Sequence, residues 1–192
     1  MTPPEVVAIG SVVLVIGLAA FIGLSNYNAV IALQQRADKA WANIDVALKQ
    51  RHDMLPNLVA AVRGLMAFEQ QVLTDVTQAR AAYSPTDPIP SQAATSDQTT
   101  AAVRSLFAVV ERYPDIKSQE NVMALQGEIE RIEGIIADRR ELYNDQVYRY
   151  NTKISTVPAI ILAWLFRWVP RAFFEADRAE TERPDVELTP TP

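Results

Sequence analysis

The sequence predicts an all-α protein: an N-terminal single transmembrane helix followed by a long antiparallel, up-and-down, coiled-coil-like bundle. Three observations predict it. Val6 to Leu24 is an apolar block without a single charge. Behind it, apolar residues recur at seven-residue and three-four spacing as far as Ile154, the period of helices with one buried face. No run alternates with the period of two that a half-buried strand requires.

Residues 1–5 form a short N-terminal tail. Residues 6–24 read VVAIGSVVLVIGLAAFIGL. At about 1.5 Å per residue such a helix just crosses a hydrocarbon core of roughly 30 Å. A core helix of a soluble protein would keep a polar face, and this block has none. A cleaved signal peptide would carry a basic n-region, and residues 1–5 hold no Lys or Arg. Glu5 precedes the block, whereas Arg36, Lys39, Lys49 and Arg51 follow it. The positive-inside rule therefore places the chain in the cell (inner) membrane, single-pass, with the short N-terminus outside and the bundle in the cytoplasm. Ala19 and Gly23 make one small-xxx-small pair, which suits close approach of two anchors and equally suits ordinary membrane-helix composition.

The bundle spans residues 25–156. Val30, Ala37, Ile44, Arg51 and Leu58 form one heptad row. Leu33, Ala40, Ala47, Met54 and Ala61 form a second, and Trp41, Leu48, Leu55 and Val62 a third. Pro56 interrupts this helix, as a reversal or a kink, because proline removes a backbone donor. The pattern resumes through Leu65, Val72, Val76 and Tyr83. SPTDPIPSQAATSD (84–97) reads as a loop, with Ser96 or Asp97 as N-cap of the next helix. That helix carries Val103, Leu106, Phe107, Val110 and Tyr113 and stops at Pro114-Asp115, again a reversal or a kink. Ser118 caps a last long helix, whose stripe is Val122, Leu125, Ile129, Ile132, Ile136, Arg139, Tyr143, Val147, Tyr150 and Ile154. Two reversals give four helices; two kinks give two long arms. With either count the last helix ends back near the membrane. Residues 157–174 open with VPAIILAWLFRWV, too short at about 20 Å to span. The acidic, proline-containing stretch 175–192 reads as a disordered tail.

Composition excludes several functions. A net charge of -5 and a pI near 5.0 speak against nucleic acid as partner. The chain has no cysteine, so thiolate metal sites and cysteine nucleophiles are excluded. The only histidine, His52, cannot supply a metal shell, and its neighbour Asp53 points elsewhere on a helix. No Glu-x-x-His, Gly-x-Ser-x-Gly or phosphate-loop pattern occurs. No catalytic residue, metal, cofactor or small-molecule substrate is expected.

Several segments together resemble the LemA family. They are Arg51-His52-Asp53-Met54-Leu55-Pro56-Asn57-Leu58-Val59, the earlier Ala40-Trp41-Ala42-Asn43-Ile44-Asp45-Val46, and Tyr113-Pro114-Asp115-Ile116-Lys117. Tyr143-Asn144, Tyr150-Asn151 and Phe173-Phe174-Glu175 complete the set. Each is modest alone; their order over roughly residues 25–175 makes the match specific. The resemblance implies one N-terminal membrane helix followed by a helical bundle inside the cell, without an established enzymatic activity. The magnetosome protein MamQ is similar to this family, which implies membrane organisation as a role. The apolar stretch after Val157 departs from the family pattern.

Two sets of residues stand out. Asn28, Asn144 and Asn151 each follow a tyrosine, and Arg51 and Arg139 fall in apolar rows. They read as a polar core that fixes register, or as asparagines facing water and arginines with stems along the core edge. Trp164, Arg167, Trp168 and Arg171 read as an interfacial segment, with the tryptophans on one face and the arginines reaching lipid phosphates, or as a flap packed on the bundle. The function expected is a non-catalytic, membrane-anchored scaffold. Its expected partners are the lipid bilayer, copies of itself (a homo-oligomer) and an unidentified membrane or cytoplasmic protein. The alternative is a sensor bundle that transmits a signal across the membrane.

Overall fold

A computed structural model describes residues 3–63, 70–117 and 119–175. The helices are α1 (Pro3–Arg63), α2 (Gln70–Ala81), α3 (Ile89–Val110), the single turn α4 (Pro114–Lys117), α5 (Glu120–Ile154) and α6 (Ala159–Phe166), with no strand among the described residues. They form two compact units. The first holds α1 up to Ile44 together with Glu141–Ala172; the second holds the described residues of Asp45–Arg140 together with residues 173–175.

In the first unit, the part of α1 after the apolar block lies antiparallel to the end of α5. Trp41 packs on Tyr143, with ring centroids 5.6 Å apart. Fifteen residues earlier on α1, Lys153 donates to Asn26 at 2.7 Å. Val30, Tyr150, Ile154, Ala159 and Ala163 share one core, closed by Leu33 and Trp168. The end of α5 is therefore level with the exit of the apolar block, as the sequence predicts. That block is exposed throughout its described side chains. A 61-residue helix that opens on an uncovered apolar stretch is the one described helix long and apolar enough to cross a membrane.

The second unit is an up-and-down four-helix arrangement of α1 (from Asp45), α2, α3 and the first half of α5. Leu55, Leu58 and Val62 meet Leu73 and Val76 of α2, Val103 and Leu106 of α3, and Ile129 of α5 in one core. Directions follow from cross-helix pairs. Tyr83, just past α2, packs against His52, so α2 runs against α1. Asp97 pairs with Arg140 and Thr100 with Glu133, so α5 runs against α3.

Two open alternatives are resolved and one expectation changes. Pro56 lies inside α1 and is exposed, so the chain does not reverse there. Its ring faces solvent while Leu55 and Leu58 hold the core. Pro114 does mark a reversal, built around α4. The segment 84–97 is not a loop throughout: α3 starts at Ile89. Pro90 sits in the first turn, where its missing N–H leaves no helical bond unmade. Ser96 and Asp97 are consequently mid-helix residues and not caps. Ser118 and the tail beyond Glu175, like Leu65, lie outside the described residues.

Candidate functional site

Arg51 stands in the first heptad row of α1, between Ile44 and Leu58, and is 3% exposed. A buried guanidinium needs every donor matched. Its Nη1 donates to Glu133 of α5 at 2.8 Å and to Thr100 of α3 at 2.9 Å. Its Nη2 donates to the Ser96 hydroxyl at 2.9 Å and to the Ser96 carbonyl at 3.3 Å. The Thr100 hydroxyl has one proton and two acceptors in reach, Glu133 at 2.7 Å and the Ser96 carbonyl at 3.1 Å. The shorter, charge-assisted bond takes it. One arginine thus ties three helices together at one level. The reading of Arg51 as an arginine with its head in water is overturned. Arg139, by contrast, is only half-buried.

Beside it, the His52 and Tyr83 rings meet in a tilted arrangement with centroids 5.0 Å apart, and the Tyr83 hydroxyl reaches Asp45 at 3.4 Å. Burial, then Arg80, hold the His52 imidazole below its usual pKa, while Asp53 opposes them. Its Nδ1 is buried without a hydrogen-bond partner among the described residues. Burial and Asp45 push the Tyr83 phenol up. His52 and Tyr83 meet where the end of α2 comes back beside α1. Among the described residues no cluster of three His, Asp or Glu side chains is placed to hold a metal.

The asparagines divide. Asn28 is exposed and takes no part in a polar core; Asn26, two residues earlier, is the one that receives Lys153. Asn144 is half-buried. Asn151 is half-buried and grips the backbone of Arg171 twice: its Nδ2 donates to the carbonyl at 3.0 Å, and its Oδ1 accepts from the N–H at 2.8 Å. Tyr143 donates to the Ala172 carbonyl at 2.9 Å, and burial raises its pKa, so it remains a donor. The Tyr-Asn pairs, seven apart on one face of α5, therefore bind the returning chain at 171–172. Sequence periodicity had no means of revealing this partner, because the returning segment has no period.

The arginines and tryptophans after Val157 divide too. Arg171 pairs with Asp38, and its guanidinium lies 5.5 Å over the Tyr150 ring, so it is held within the first unit and does not reach outward. Trp168 is half-buried and meets Tyr27 at 5.6 Å and Phe166 at 5.4 Å. Trp168 lies past the end of α6, so it shares no helix face with Trp164. α6 buries Ala159 and Ala163 and turns Ile160, Ile161, Trp164, Leu165 and Phe166 outward. Small residues face the protein and large apolar ones face away. Trp164 is 83% exposed. Arg167 ends the helix in the left-handed conformation, at φ 54° and ψ 40°. The Trp168 N–H then bonds the Ala163 carbonyl at 2.9 Å, as in a Schellman cap. For a non-glycine residue that conformation costs about 1–2 kcal/mol.

The comparisons agree with the architecture. The family model described as LemA family matches residues 40–188. Protein LemA of Metamycoplasma hominis is 27% identical over 178 residues, covering 92% of this chain and 80% of its own length. Magnetosome proteins MamQ 1 and MamQ 2 of Paramagnetospirillum magneticum are each 23% identical over 192 residues, covering 85% of this chain and 71% of theirs. With a family model matching most of the chain, and a bundle whose joints fall on the family's segments, this protein belongs to the LemA family.

Proposed function

We propose that the protein is a non-catalytic, membrane-anchored scaffold that acts through self-assembly or through protein partners at the membrane surface. One observation carries this reading. The exposed apolar block passes without a break into the part of α1 that packs against α5. No flexible linker separates anchor from packed helices, so the first unit stands fixed at the membrane. The relation to magnetosome proteins supports a role in organising membrane-bound material.

The charge distribution supports a cytoplasmic bundle. Arg36 and Lys39 follow the block and are exposed, whereas Arg51 is consumed by Glu133. Single cysteines introduced at Thr2 and at Gln126 should then react with an impermeant reagent from opposite sides. Crosslinking of the full chain in native membranes tests the scaffold. The expected result is discrete homo-oligomers or one recurrent protein partner; a strict monomer that captures no protein overturns the reading.

A further inference from the structure

We propose that the outward face of α6, together with Arg167, is a second and shallow membrane contact that binds anionic phospholipid headgroups on the leaflet where the anchor emerges. The proposal rests on the anchor reading above and adds a ligand to it.

Position comes first. Tyr27 lies three residues beyond the apolar block and touches Phe166 at 5.1 Å and Trp168 at 5.6 Å. If α1 spans, the end of α6 stands at the level of the headgroups, beside the residue with which α1 leaves its apolar block. Chemistry comes second. Ile161, Trp164 and Leu165 are each more than half exposed, a cluster that water covers poorly and a bilayer interface covers well. The third argument is Arg167. It is exposed and makes no ion pair among the described residues, unlike Arg171, which Asp38 holds. It occupies a backbone conformation that glycine adopts freely. The backbone therefore does not ask for arginine; its side chain does something else. It also lines an open groove of about 650 Å³ together with Ile154, Ala163, Trp164, Trp168 and Val169. An apolar groove with one unpaired cation suits a phospholipid, acyl chain inward and phosphate on the guanidinium. A second copy or a protein would need matching carboxylates and would leave the neighbouring headgroups uncovered.

The test uses the full chain in phosphatidylcholine nanodiscs, with and without phosphatidylglycerol, and with lipids brominated high on the acyl chain. Trp164→Phe isolates the emission of Trp164 by difference, and its exposure makes the substitution neutral for folding. The expected result is that brominated lipid quenches the Trp164 emission and that phosphatidylglycerol deepens the quenching. Arg167→Gly relaxes the backbone and keeps the cap, yet should weaken the apparent affinity for phosphatidylglycerol by roughly fivefold. Arg167→Lys should retain most of it. Quenching of Trp164 by aqueous acrylamide and not by brominated lipid would overturn the proposal. So would shielding from both, which would mean a protein occupant, or an Arg167→Gly variant with unchanged lipid preference. Alkaline extraction of the same discs reads the anchor alone. A chain that resists extraction while Trp164 stays in water refutes this contact and leaves the anchor standing.

Discussion

Replacing Glu133 by alanine is expected to damage the protein more than replacing the arginine it holds. The Arg51 side chain is 4% exposed and that of Glu133 22%. Glu133→Ala leaves a buried cation with only the neutral acceptors of Ser96 and Thr100. Removing one partner of a buried pair costs about 3–5 kcal/mol. Water reaches the partly exposed Glu133 position, so the low end, about 3 kcal/mol, is expected. At about 2–4 °C per kcal/mol for a chain of this size, the unfolding midpoint falls by roughly 6–12 °C. Arg51→Met removes the group that demands a partner and keeps an apolar stem. The Glu133 carboxylate then has a route to water and still receives the Thr100 hydroxyl. Its cost is expected at about 1–2 kcal/mol. The double variant Arg51→Met with Glu133→Leu should cost less than the sum of the single changes, with a coupling of at least about 1 kcal/mol. Thermal unfolding of the detergent-solubilised full chain, followed by helical circular dichroism, reads all three. Arg51→Met proving as costly as Glu133→Ala, or strict additivity, would refute the account of Arg51 as the group that needs satisfying.

Three further outcomes are expected. His52 is held below the ordinary imidazole value of 6.5, so the unfolded chain takes up a proton before the folded one. This group's contribution to stability is lost as pH falls through 6.5 and levels off below the folded value. The gap between wild type and His52→Gln, measured as unfolding midpoint, should therefore change with pH below 6.5; a constant gap contradicts it. Asn151→Ala removes both bonds to the Arg171 backbone, about 2 kcal/mol, and should expose the stretch after Pro170 to proteolysis, whereas Asn151→Asp keeps the acceptor and should protect it partly. Phe174 is fully buried under the Arg140 guanidinium, 4.9 Å from its ring, so Phe174→Ala should cost about 3–5 kcal/mol, and Phe174→Leu much less, in the same unfolding assay.

Helix faces were legible because period is a direct image of burial. Every member of the first row, Val30, Ala37, Ile44, Arg51 and Leu58, is buried, and so are Ile129, Ile136, Tyr143, Val147 and Ile154 on α5. What stayed hidden was the identity of polar partners. Gln92, Ser96, Thr99 and Thr100 look like loop residues by type, yet they fall at three-four spacing on one face of α3. Three of them meet Arg51 or the α2–α3 turn: Gln92 donates to the Pro85 and Asp87 carbonyls, and Ser96 and Thr100 receive the guanidinium; Thr99 donates to the Thr95 carbonyl of its own helix. An arginine in an apolar row was the available signal, since such a residue demands a polar stripe on a neighbouring helix. Asn28 misled for a simpler reason. The Tyr-Asn pairing is a sequence likeness, and two residues along a helix turn a side chain by more than half a circle, from the half-buried Asn26 to the exposed Asn28.

The segments that identify the family fall where the chain has to be held. Arg51 ties α1 to α3 and α5. Tyr113-Pro114-Asp115 makes the reversal between α3 and α5. Tyr143 and Asn151 grip residues 171–172, and Phe174 plugs beneath Arg140. If the protein works as the proposed scaffold, its binding surfaces are the ones these joints hold in position. Asn151 makes the case directly. It fixes Arg171, four residues beyond the Arg167 that closes α6. The α6 face with Trp164 outward is thereby held level with the end of the apolar block of α1. Loosening Asn151 should therefore reduce lipid quenching of Trp164 without any change at a lipid-facing residue. An Asn151→Ala variant that loses its tail latch, yet keeps wild-type quenching, would separate the joint from the surface and defeat this reading.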